Sequence, residues 1–136
     1  MAKPELPPSK PPTVLIYDQI DWDDLMRAKP AVAPPKELIE KARGSGARRK
    51  KIIKGEGGFF MNRSVLPADF RVPPHHHTHD EILVILKGGC EFDDDLATLG
   101  ADDSIVIHAN YRYGFTCGPE GMDFLTIRMG EAGVTL

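Results

Sequence analysis

Between positions 73 and 81 the chain reads PPHHHTHDE, a stretch whose reactive side chains are imidazoles and carboxylates. Side chains on an extended strand alternate between faces, so His75, His77, His79 and Glu81 would share one face if the strand ran straight, leaving His76 and Asp80 on the other. Imidazole nitrogens two residues apart can reach one cation at ~2.0 to 2.2 Å, and a carboxylate a few positions on completes three ligands with coordination positions open for water or substrate. The competing reading is a solvent-facing histidine-rich loop. Against it, the tract is internal and runs directly into ILVILK, an apolar run that must be buried.

Such a cluster needs rigid elements to hold it. From Gly57 onward the chain is made of short apolar runs, GFFMNRSVLP, DEILVILKGG, CEF, LATLG, DSIVIHAN, YGFTC and MDFLTIRMG, each of strand length. DDD, GAD and GPEG read as turns between them, and Gly88-Gly89 as the turn that ends the strand after Glu81. Many short, closely spaced strands imply an antiparallel sandwich or barrel. Phe59, Met61, Phe115 and Phe124 stand as candidates for its cavity wall, with plain core as the commoner role of strand aromatics.

The N-terminal part has a different texture. Residues 1–12 carry five prolines and read as an extended, poorly ordered arm. Residues 13–56 read as the strand TVLIYDQ, two short helices in DWDDLMRA and PPKELIEKARG, and a basic loop. Residues 41–54 hold seven of the seventeen Lys and Arg residues and no acid. An anion or nucleic-acid contact is one reading of that run, and a solvated hairpin edge guarded by lysines is the other. The second is preferred, because the formal charge of -3 gives no global reason to expect nucleic acid or an anionic membrane as partner.

No apolar stretch approaches membrane-spanning length and the first residues lack a signal-peptide pattern, so the expected location is cytoplasmic. Cys90 and Cys117 are too few for a disulfide framework and read as small buried hydrophobes. An exposed sheet edge would be expected to pair across a two-fold axis, which makes a homodimer the expected assembly, with TVLIYDQ or the proline-rich arm contributing.

The histidine tract resembles the first motif of the cupin superfamily, small jelly-roll β-barrels. His75 and His77 match its His-x-His, Glu81 its acid, and Gly88 its closing glycine, with Asp69 where the opening glycine belongs. The second motif lies on DDSIVIHANYRYGF, with Asp102 and Asn110 at its glycines, His108 at its proline, and Tyr113 where its metal-binding histidine belongs. The resemblance covers about residues 57–130 and implies an all-β cupin barrel at 57–136 behind the N-terminal extension.

It also implies His75, His77 and Glu81 as ligands of a divalent metal. With no fourth imidazole, the set is similar to the two-histidine, one-carboxylate triad that suits Fe(II), with Mn, Ni or Zn as alternatives. His79 would be an alternative ligand if it turned inward. Tyr113 then stands as a hydrogen-bond donor or acid-base group beside the metal, as a phenolate ligand, or as a wall residue. His108 reads as a hydrogen-bonded, partly buried histidine. The activity expected first is that of a metal-dependent, dioxygenase-like oxidoreductase, or an isomerase or lyase, acting on a small organic acid or aromatic. A non-catalytic small-molecule or structural-metal cupin is the alternative, and metal-free epimerase-type chemistry using His77 and Tyr113 ranks third.

Overall fold

ILVIL after Glu81 is apolar at every position, but the barrel buries it on one face: Leu83 and Ile85 are 1% and 0% exposed, while Ile82 on the outer face is 39% exposed. The structure, a computed structural model, describes residues 6–23 and 46–130. Among the described residues, seven strands form one hydrogen-bonded antiparallel system: β1 (Arg48–Lys54), β2 (Phe60–Leu66), β3 (Arg71–His75), β4 (Glu81–Phe92), β5 (Thr98–Gly100), β6 (Ser104–Ile107) and β7 (Tyr113–Arg128). Among the described residues the sheet begins at Arg48, ahead of the change of texture at Gly57. β1 is an edge strand, but its cations are not a solvated row: Lys50 is buried and Arg49 half-buried, with Tyr17, Trp22 and Asp23 packed against them.

Two strands run through both walls. The first half of β4 lies between β6 and the second half of β7, which continues to β2 and β1; the second half of β4 lies between β5 and the first half of β7, which continues to β3. The result is a five-strand wall and a four-strand wall that share β4 and β7. Leu83, Ile85, Met122 and Phe124 from the first pack against Cys90, Phe92, Phe115 and Cys117 from the second, all buried. Phe115 and Phe124 meet edge to face at 6.3 Å. The all-β barrel is the architecture expected from the strand pattern.

Several local expectations are corrected. Gly88-Gly89 does not end its strand, and GPEG is not a turn between strands: both lie inside β4 and β7, where the ladder register shifts between Gly88 and Cys90. Gly88 (φ 70°) and Gly121 (φ 74°) bend the paired strands from one wall into the other, and a Cβ on Gly88 would collide with the Gly121 carbonyl. DDD and GAD are turns, as read.

TVLIYDQ is not a strand. Residues 13–16 have no regular structure and Tyr17–Gln19 is a 3-10 turn. Side chains rather than a ladder hold it: the Lys50 ammonium sits 3.8 Å from the Tyr17 ring centroid and donates to the Tyr17 carbonyl, and Arg48 lies over Trp22 at 4.4 Å. Asp23 accepts from Arg49 at 2.8 Å and donates its own N–H to the Arg49 carbonyl. Most of DWDDLMRA and all of PPKELIEKAR lie outside the described residues. No described helix is long and apolar enough to cross a membrane.

Candidate metal and proton-transfer site

The histidine tract does not run straight. β3 closes at His75, the chain bends through Thr78 and His79, and Glu81 opens β4. The bend carries His75 and Glu81 on opposite walls at the same end of the barrel.

His75 is buried and stands in register with Tyr113, the first residue of β7, their ring centroids 4.4 Å apart. Its Nδ1 lies 2.9 Å from the Pro73 carbonyl oxygen, which can only accept, so Nδ1 carries the proton and Nε2 keeps the lone pair. Burial pushes the imidazole pKa below its ordinary value, with the Pro73 bond opposing, so the ring is neutral.

His77 follows with its ring nearly perpendicular to that of His75, centroids 5.0 Å apart. Its Nε2 lies 3.7 Å from Glu81 Oε1. The bend is tied down from the second motif: Asn110 N–H donates to the His77 carbonyl and Ala109 N–H to Asp80 Oδ1, each at 2.7 Å. Asn110 takes φ 68° to make that turn, a conformation asparagine tolerates better than most residues.

Glu81 is 3% exposed. The Tyr113 hydroxyl donates to its Oε1 at 2.7 Å, and Arg128, its register partner at the end of β7, brings Nη1 to 3.5 Å from Oε2. Oε2 has no hydrogen-bond partner. Burial, reinforced by the Glu81 charge, pushes the Tyr113 pKa well above that of a free phenol, so the phenol is protonated.

The remaining candidates lie elsewhere. His79 is exposed, bonded to Thr78 and packed against Gly130, so the structure does not bring it to the cluster. His76 is half-buried, and His108 is exposed, 3.8 Å from Asp80, rather than partly buried as expected. Phe115 and Phe124 are core, while Phe59 is exposed and Met61 lies on the outer side of the five-strand wall. Two cations were not anticipated. Arg128 is placed only by strand register, which the sequence does not display. Arg112, exposed, lines a cavity of about 210 Å³ with Pro74, Asp93, Asp94, Leu96, Tyr111 and Tyr113, and makes no ion pair with a described residue.

No family model matches the sequence, and no curated protein does. Solved structures match the fold. KdgF from Halomonas sp. superposes with TM-score 0.61 at 17% identity, covering 85% of this chain and 93% of that one. The polyketide cyclase RemF from Streptomyces resistomycificus gives 0.60 at 20% identity, covering 90% and 83%. An RmlC-like cupin protein from Ralstonia eutropha JMP134 gives 0.64 at 16% identity, covering 88% and 69%. A two-walled barrel of antiparallel strands with such neighbours is a jelly roll. The chain has the cupin fold.

Proposed function

We propose that this chain is a metal-dependent cupin enzyme acting on a small organic acid, with His75, His77 and Glu81 holding a divalent ion and Fe(II) favoured. The observation that carries the reading is the meeting of these three side chains with Tyr113 at one end of the barrel. The donor set suits such an ion. His75 is neutral with its Nε2 lone pair retained, and Glu81 Oε2 is buried without a hydrogen-bond partner. A bound ion would supply Lewis-acid polarisation of a carbonyl or a site for oxygen.

The chain's own residues do the rest. Pro73 fixes the His75 tautomer, and the Asn110 turn holds His77 in place. Tyr113 keeps its proton on Oη, its pKa raised by burial and by the Glu81 charge, and so acts as a hydrogen-bond donor that orients the Glu81 carboxylate. Arg112, exposed at the cavity next to Tyr113 and in no ion pair with a described residue, offers a fork for a carboxylate, opposed by the Asp93 and Asp94 charges on the same lining. That a solved structure of similar fold is a polyketide cyclase supports reading this barrel as an enzyme.

The test is metal content of protein purified anaerobically without added metal, beside His77→Ala, followed by oxygen uptake with catechols, diketones and hydroxy acids. Near-stoichiometric metal lost in the variant supports the reading; trace metal equal in both defeats it. A second reading draws on Arg128, whose guanidinium already supplies Glu81 with a positive charge. It is a non-catalytic cupin that binds a small molecule without a metal, and it expects the second outcome.

A further inference from the structure

We propose, on the reading of the barrel mouth as a substrate site, that Asn62 and Thr126 form a polar subsite inside the barrel beside Arg128. The subsite reads a hydroxyl or carbonyl oxygen, so the organic acid taken here is a hydroxylated or keto acid rather than a plain one. The ladder registers carry Asn62, Thr126, Leu83 and Ile105 in one row across β2, β7, β4 and β6. Phe60, Arg128, Glu81 and Ile107 form the next row toward the mouth. Leu83, Glu81 and Ile107 are buried, so both rows face the interior.

Among the described residues four polar or charged residues are buried: Lys50, Asn62, His75 and Glu81. Lys50 lies on the outer face under Tyr17 and donates to its carbonyl, and His75 and Glu81 belong to the site already described. Asn62, 8% exposed, is the one without an evident task. Its side-chain amide has no hydrogen-bond partner among the described residues, and neither has the Thr126 hydroxyl. Buried amides are nearly always bonded, because giving up water without a replacement partner costs free energy. Among the described residues only Glu81 Oε2 is both sealed from solvent and unpartnered, so the Asn62 amide, equally unpartnered, reaches open space inside the barrel.

The chemistry of the two side chains sets what they read. Thr126 is the direct cross-strand partner of Asn62, with Cβ atoms ~4.5–5.5 Å apart, and Arg128 is its diagonal neighbour at ~7–8 Å, so one small molecule can touch all three. An amide presents both donor and acceptor and a threonine hydroxyl does likewise, which matches a hydroxyl or carbonyl oxygen; neither carries the charge that a carboxylate calls for. The substrate's carboxylate therefore belongs to the charged groups at the mouth, and the subsite to a substituent beside it. Leu83 next to Thr126, and Phe124 one step deeper on β7, are both buried and apolar, which restricts that substituent to a single small polar group.

Thermal melting of the metal-free full chain compares wild type with Asn62→Leu and Asn62→Ala, which remove the amide while adding or removing bulk. An asparagine that faces a ligand contributes little to the fold, so at least one of the two should melt within about 5 °C of wild type or above it. A larger fall in both means an amide bonded within the chain and overturns the proposal. Calorimetry then titrates L-malate against succinate, and L-lactate against propionate, into wild type and the variant that keeps its melting temperature, each metal-free and loaded with Zn(II). Wild type should bind the hydroxylated member of at least one pair about tenfold more tightly or better, and the variant should bind both members alike. Equal affinity within both pairs in wild type, binding of none of the four acids, a preference that survives in the variant, or a variant that loses both members together each overturns the subsite. Trace metal with the preference intact would strike the metal reading alone; stoichiometric metal without a preference would strike the subsite alone.

Discussion

The Tyr113 hydroxyl donates to Glu81 Oε1 at 2.7 Å across the mouth of the barrel, joining the start of β7 to the start of β4. Each residue also has a register partner on its own wall: His75 for Tyr113, and Arg128 for Glu81. Two cross-strand pairs therefore face one another, and this one bond closes the square between them. The phenol that stands where the second motif has histidine is directed at the carboxylate.

Tyr113→Phe removes the donor and leaves a buried carboxylate oxygen without its closest partner, so the metal-free protein should lose ~1–3 kcal/mol. Urea unfolding of wild type and variant measures the difference. Equal midpoints with equal slopes would mean that Glu81 finds other hydrogen bonds and that the bond is incidental to the fold.

Gly88→Ala should be among the costliest single substitutions in the barrel, at several kcal/mol, because it forces a β-carbon into a left-handed backbone and onto the Gly121 carbonyl. Expression yield and melting temperature report it. A variant that melts within a few degrees of wild type would show that the bend does not depend on this contact.

That bend also shows what the sequence could and could not disclose. Strand texture was legible because alternating and continuous apolar runs have few other ways to be buried. Whether Gly88 and Gly121 end strands or bend them was not, since both need the same left-handed backbone and differ only in what pairs beyond them. Motif positions lost in identity survive in conformation: Asp69, Asp102 and Asn110, at the glycine places, have φ of 59°, 72° and 68°. Spacing was thus a better guide than residue type. His79 stayed open between an inward ligand and a surface role because the bend before Glu81 is not written in the spacing, and Arg128 gave no local signal because register alone places it.

Cys90 and Cys117 are register partners deep in the barrel, both free thiols. Burial pushes Cys90 up to about 11 and Cys117 up to about 12 from an ordinary 9.0, Cys117 also facing Cys90 and Asp69. Both folded values lie above the unfolded one, so the contribution of the neutral thiols to stability is complete below pH 9.0 and is lost as pH climbs through about 11 and 12. Neither thiol should react with iodoacetamide in the folded protein at neutral or mildly alkaline pH, and both should react on unfolding. Labelling of the native state at the rate of a free thiol would mean that the barrel opens far more readily than its packing implies.

Arg128→Met separates the two readings of the site. The guanidinium lies 3.5 Å from Glu81 Oε2, and removing one partner of a buried ion pair strands the other charge, at a cost of about 3–5 kcal/mol. The methionine keeps most of the side chain's bulk, so the loss reflects charge rather than a cavity. If His75, His77 and Glu81 hold a divalent ion, adding one supplies the missing positive charge and stabilises the folded state as binding to it alone must. The melting temperature of Arg128→Met should then rise with Fe(II), Mn or Zn by more than that of wild type, and His77→Ala in the same background should abolish the rise. A variant that is destabilised and indifferent to every metal would leave Arg128 as the cation Glu81 was built around, and the metal-free reading would stand.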